Sequence, residues 1–183
     1  MLGYYEKKFW ENFKKQNLAP IEFLIQNEYD VAAAKLICSV IDSLAGFYVG
    51  RIKPGKIRES FVDFLKKYMP VFFNLNFEEK FYFRKNKKVV KNAANILYCS
   101  FRNGLIHGRS LGLGVEIYRD EDIKILWKGF GIKIMQLNIL GFWEYFKKAL
   151  KDYESDLEKD RNIFEKFRMK YFEIQQPIFE LKQ

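Results

Sequence analysis

The strongest constraint on the fold is a run of apolar residues early in the chain. Leu36, Ile37, Val40, Ile41, Leu44 and Phe47 follow the period of a helix with a buried face. A second stripe, Phe146, Leu150, Tyr153, Leu157, Phe164, Phe167 and Tyr171, predicts a long C-terminal helix over about 139–172, with its pattern broken at Asp160. That helix is short for a coiled coil and reads as core. Ile57, Phe61, Phe64, Leu65 and Tyr68 predict a further helix. Pro70 stops it, because proline pushes the preceding residue out of the helical region. Tyr5, Phe9 and Phe13 predict a short helix over 3–15. Ala19-Pro20 marks the start of the next, which runs to Tyr48 with a break at Asn27, a candidate cap for a new helix.

Arg51 to Gly55 reads as a loop, and residues 74–88, rich in both Phe and charge, as a loop with a helical turn. Residues 89–106 predict another helix. Beyond Gly108 the period changes. Val115 and Ile117, then Ile123, Ile125 and Trp127, then Ile132 and Ile134 alternate as strands do, with turns at Asp120-Glu121-Asp122 and Gly129-Phe130-Gly131. The expected architecture is mainly α: one domain over 1–183, a helical bundle with a small antiparallel β-meander at about 115–137.

Composition narrows the function. Thirty-two Lys and Arg against 23 Asp and Glu give a net charge of +9, which favours acidic partners, nucleic acid first and anionic membrane second, or a basic surface that serves only solubility. The two cysteines, Cys38 and Cys99, sit in apolar helical patterns and read as buried small hydrophobes in a reducing compartment. The N-terminal residues lack the apolar run of a signal peptide. No stretch approaches the roughly 18 unbroken apolar residues of a membrane helix. A cytoplasmic protein without a membrane partner is expected. One histidine and two scattered cysteines make a poor zinc set, so neither a metal nor another cofactor is expected.

The segment Leu97-Tyr98-Cys99-Ser100-Phe101-Arg102-Asn103-Gly104-Leu105-Ile106-His107-Gly108 carries the candidate chemistry. His107 is the only histidine of the chain, hence the only side chain whose ordinary pKa lies near neutrality. On a helix, Asn103 and His107 stand one above the other. With Phe101 at the centre of the core face and Val90, Ala94, Leu97 and Leu105 sharing it, they point away from it, and Arg102 reaches toward His107 from the side. Ile96, Cys99 and Ile106 share that outer side, which suits a homodimer interface or a ligand cleft. A simpler alternative is a helix C-terminus whose Arg and His answer the dipole. Asp42 lies within the apolar stretch from Cys38 to Phe47. It is either a buried partner for Arg102 or a residue at the wet edge of its face. Arg51, Lys53 and Lys56 in one basic run, and Arg84, Lys85, Lys87 and Lys88 in another, are candidate RNA phosphate contacts or solvated loops. Tyr82 and Phe83 beside the second run are candidates for base stacking.

At these residues the sequence resembles the HEPN superfamily, whose mark is an Arg, four to six residues, then a His, often with a polar residue after the Arg. Arg102-Asn103-Gly104-Leu105-Ile106-His107 has the four-residue spacing with Asn in that place. The resemblance spans the helices from about Ile21 to His107 and the closing helix, but not the strands. It implies a HEPN-like helical bundle and a metal-independent endoribonuclease acting on single-stranded RNA. His107 would be the general acid or base, Arg102 the stabiliser of phosphate charge, and Asn103 the residue orienting either. It implies a homodimer with a composite cleft, a role as a toxin or antiviral defence effector, and an antitoxin or regulatory protein as a further partner class. Some members of the superfamily have lost activity, so an inactive module that binds RNA or a protein partner is the alternative.

Overall fold

The computed structural model describes residues 3–74, 76–82, 89–99, 115–122, 127–130 and 134–180. These residues are mainly helical. Helices α1 (Tyr4–Gln26), α2 (Asp30–Val49), α3 (Ile57–Tyr68) and α4 (Pro70–Asn74) come first. They are followed by strands β1 (Asn76–Tyr82) and β2 (Val89–Asn92), helix α5 (Ala93–Leu97), and strands β3 (Val115–Tyr118), β4 (Trp127–Phe130) and β5 (Ile134–Asn138). Helices α6 (Ile139–Lys159) and α7 (Arg161–Glu180) close the described chain.

Helix α2 is the hub. Ile37, Val40, Ile41, Leu44 and Phe47 are buried, and so are Ala33, Ala34, Cys38 and Ala45 on neighbouring faces. By length and composition it could cross a membrane, with a mean hydropathy of 1.5 over its most apolar window. Here α1, α3, α6 and α7 pack around it. Its end is fixed by Gly50, whose φ of +78° only glycine adopts freely. A Cβ there would also stand 3.1 Å from the Lys166 carbonyl oxygen. The core is aromatic: Phe47 meets Phe167 at 5.2 Å between ring centroids, Phe72 meets Phe142 at 5.3 Å, and Trp10 meets Tyr153 at 5.7 Å. Each such pair contributes about 0.5–1.5 kcal/mol beyond its buried area.

Several boundaries differ from those the sequence predicts. One helix, α1, runs through Pro20, which starts nothing. Proline lacks an N–H and costs about 3 kcal/mol inside a helix. Burial on both sides of it, by Trp10 before and Ile21 and Ile25 after, outweighs that cost. Asn27 ends α1 rather than starting α2: its side-chain amide donates to the Phe23 carbonyl at 2.8 Å. Pro70 stops α3 as expected and then opens α4 from its first position. The long C-terminal helix is two helices. Asp160 is extended, and its Oδ1 accepts from the backbone N–H groups of Asn162 at 2.9 Å and Ile163 at 3.2 Å, capping α7.

The strands need the largest corrections. Residues 76–82 and 89–92 form an antiparallel pair with Phe81 opposite Val90 and Tyr82 opposite Val89. The expected loop over 74–88 is therefore partly strand, and the helix expected from Val89 begins at Ala93. The charged residues of 76–82 hid a segment whose Phe and Tyr, like Val89 and Val90, favour strands. The second sheet is mixed, not an antiparallel meander. Its order is β3-β5-β4, with β3 parallel to β5 and β4 antiparallel to it. Gly129 and Phe130 lie inside β4 rather than in a turn.

The cause is the segment after β3. Arg119 donates to Asp30 and, at 2.8 Å, to the Ile25 carbonyl, drawing this segment to the α1–α2 corner. The fully buried Asn138 donates to the carbonyls of Asp120 at 3.0 Å and Asp122 at 3.2 Å. Asp120-Glu121-Asp122 thus begins a crossover instead of a hairpin turn, and β5 takes the central place.

Candidate functional site

Arg102, Asn103 and His107 lie outside the described residues, as do Arg84, Lys85, Lys87 and Lys88. What is described is the platform from which the chain enters the motif. Helix α5 packs among α3, α4 and the β1–β2 pair. Ala93, Ala94, Ile96 and Leu97 are fully buried, and Tyr98 packs edge-on to Phe61 at 5.4 Å. At Tyr98–Cys99 the helix widens to an i→i+5 turn, a distortion often found at functional sites. Ala94 and Leu97 face the core as expected. Ile96 does not lie on an outer face: it is completely buried within the chain. Because α5 is enclosed by three elements, apolar positions on more than one face join the core. Cys99 is partly buried and packs on the same core. Ile106 lies outside the described residues.

Asn95 and Cys99 are the less buried positions of this segment. Asn95 is engaged by Arg58, in the first turns of α3. Its Oδ1 accepts from Arg58 Nε at 2.8 Å and from Nη2 at 2.5 Å. The contact spans 37 residues of sequence, and nothing in local spacing signals it. Burial pushes the Cys99 thiol up, and the nearby Arg58 charge opposes this. Cys38 is pushed up by complete burial, reinforced by Asp42 one turn away. Neither thiol is thus primed as a thiolate nucleophile. Asp42 itself is half-buried on α2, between the two environments its sequence context left open. The partner expected for it, Arg102, lies outside the described residues.

The first basic run is open to solvent. Arg51, Lys53 and Lys56 are exposed. Lys56 pairs with Glu59 at 2.5 Å, while Arg51 and Lys53 make no ion pair among the described residues. A second polar cluster joins α2, α3, α6 and α7. Asp156 accepts from the Tyr68 hydroxyl at 2.9 Å and pairs with Lys67 at 2.8 Å. The ammonium groups of Lys67 and Lys166 stand 5.9 Å and 5.7 Å from the centroid of the Tyr48 ring. Burial pushes the phenols of Tyr68 and Tyr153 well up, so both stay protonated. This cluster clamps helices together. A shallow depression of about 370 Å³ at the α1–α2 corner is lined by Glu28, Tyr29, Asp30, Val31, Ala32 and Lys35. Among the described residues no group of three His, Cys, Asp or Glu side chains is arranged to share a metal ion. No family model, no curated protein and no solved structure matches the chain.

Proposed function

We propose that the chain is a HEPN-like, metal-independent endoribonuclease for single-stranded RNA. The observation that carries this reading is the Arg102-Asn103-x-x-x-His107 string, which holds the only histidine of a strongly basic chain. The mainly helical bundle and the anchoring of α5 immediately before the motif support it. In this reading the ribose 2′-hydroxyl attacks the adjacent phosphorus and the 5′-oxygen leaves. His107 moves the proton at one of these oxygens. Arg102 stabilises the charge that grows on the phosphoryl oxygens. Asn103 orients the histidine or the phosphate. The products are a 2′,3′-cyclic phosphate and a 5′-hydroxyl. DNA lacks the attacking hydroxyl and is spared.

One observation favours a second reading, an inactive HEPN-like module that binds RNA or a protein. Ile96 belongs to the core of the single chain, so it cannot help build the apolar dimer face on which a composite two-copy cleft was expected. The homodimer, the defence or toxin role, the antitoxin and the cytoplasmic location then rest on the resemblance and the composition. Labelled single-stranded RNA and DNA of one sequence, incubated with excess chelator, test the preferred reading. Cleavage of the RNA alone, with cyclic phosphate ends, is the expected result. Intact RNA across varied sequences would replace the enzyme with the binding module.

A further inference from the structure

We propose that Arg58, aimed by Asn95, is a phosphate-binding residue for single-stranded RNA outside the Arg102–His107 motif. The inference rests on the reading of the chain as an RNA-handling protein and adds a residue to that surface. Several cations of the chain are neutralised by acids. Lys14 pairs with Glu154 at 2.6 Å, Lys67 with Asp156 at 2.8 Å, Arg168 with Glu6 at 3.4 Å, and Arg119 with Asp30. Each has a carboxylate, whereas the partly buried Lys35 and Lys166 have none among the described residues, Lys166 lying over the Tyr48 ring instead. Arg58, also partly buried, likewise has no carboxylate partner among the described residues. The nearby acid, Glu59, is engaged by Lys56.

What Arg58 has instead is an amide. Asn95 Oδ1 takes Nε and Nη2 together, which fixes the direction of the guanidinium plane without cancelling its charge. Two of its five N–H donors are used, and the rest have no partner among the described residues. Holding an uncompensated cation half-buried costs free energy, and an anion from solution offsets that cost. A planar guanidinium with free donors suits a phosphate diester. The position supports RNA as the source of that anion. Asn95 lies on α5, the helix from which the chain enters the motif, beside Cys99. Arg58 also follows directly on the exposed Arg51, Lys53 and Lys56. Asn95 is thus a positioning residue, and Arg58 the contact.

Asn95→Asp separates this role from a structural one. The carboxylate keeps both hydrogen bonds and the side-chain shape but neutralises the guanidinium. The probe is 2′-O-methylated single-stranded RNA, which 2′-hydroxyl attack cannot cleave, with affinity followed as salt is raised. The expected result is an affinity roughly tenfold lower, with the slope of log affinity against log salt smaller by about 0.7, the worth of one phosphate contact. The melting temperature should be kept or raised. Arg58→Gln should give the same loss of slope. Asn162→Asp, at an exposed position of α7, adds an equal charge and should leave the slope unchanged. Wild-type slope in Asn95→Asp and in folded Arg58→Gln, with tight binding of RNA by the wild type, would overturn the inference alone. Failure of the wild type to bind the RNA would overturn the RNA-handling reading and this inference with it.

Discussion

Asp156 is held by opposing forces. Burial pushes its carboxyl pKa up, but hydrogen bonds from Lys67 and Tyr68, helped by the Lys67 charge, outweigh burial and leave it below its ordinary value of 3.8. A carboxylate with a depressed folded pKa adds stability that is fully present above its unfolded value. That stability is lost as pH falls through the folded one. Asp156→Asn should therefore lower the urea midpoint at neutral pH and flatten the loss of stability below about pH 4. A wild-type-like acid profile in the variant would show that the clamp contributes nothing. Arg58 is the contrasting case: its partner is neutral, so its charge is available to a ligand. The same type of contact, a cation meeting a side-chain oxygen, serves packing in one place and, on our proposal, binding in the other.

Among the elements, Asp160 carries the clearest local signal. One residue ends α6 and caps α7, so Asp160→Ala should destabilise the protein by about 0.5–2 kcal/mol in chemical denaturation. A change within error would mean that the aromatic packing of Phe146, Tyr153 and Phe167 alone fixes the angle between the helices. The stripes of α2, α3, α6 and α7 were legible because their apolar spacing is long and regular. The break at Asp160 was visible in the pattern but not its depth, since a broken stripe does not distinguish a kink from two helices. Pro20 misled because a propensity cost is local while the burial that offsets it is tertiary. The sheet order was not legible: β5 takes the centre through Asn138 and Arg119, and the groups they hold, Asp120, Asp122, Ile25 and Asp30, follow no short-range rule. Ile96 misled for the same reason, since a helical wheel assumes one covered face and α5 has more. The Arg58–Asn95 contact had no sequence signal.

At the scale of the whole molecule, a bundle built on α2 offers a rigid aromatic core, a net charge of +9 and a firmly seated α5 ahead of the motif. On our proposal the catalytic residues follow this helix in sequence, and catalysis by positioned groups depends on firm anchoring. The central claim is that His107 moves a proton in RNA cleavage with Arg102 stabilising the phosphate. Its most direct test is the rate of single-stranded RNA cleavage in chelator by the wild type, His107→Ala and Arg102→Ala, each checked for wild-type helical content. The account predicts a loss of about 10²–10⁴-fold for His107→Ala and a comparable loss for Arg102→Ala. Cleavage that persists undiminished in folded His107→Ala would contradict it.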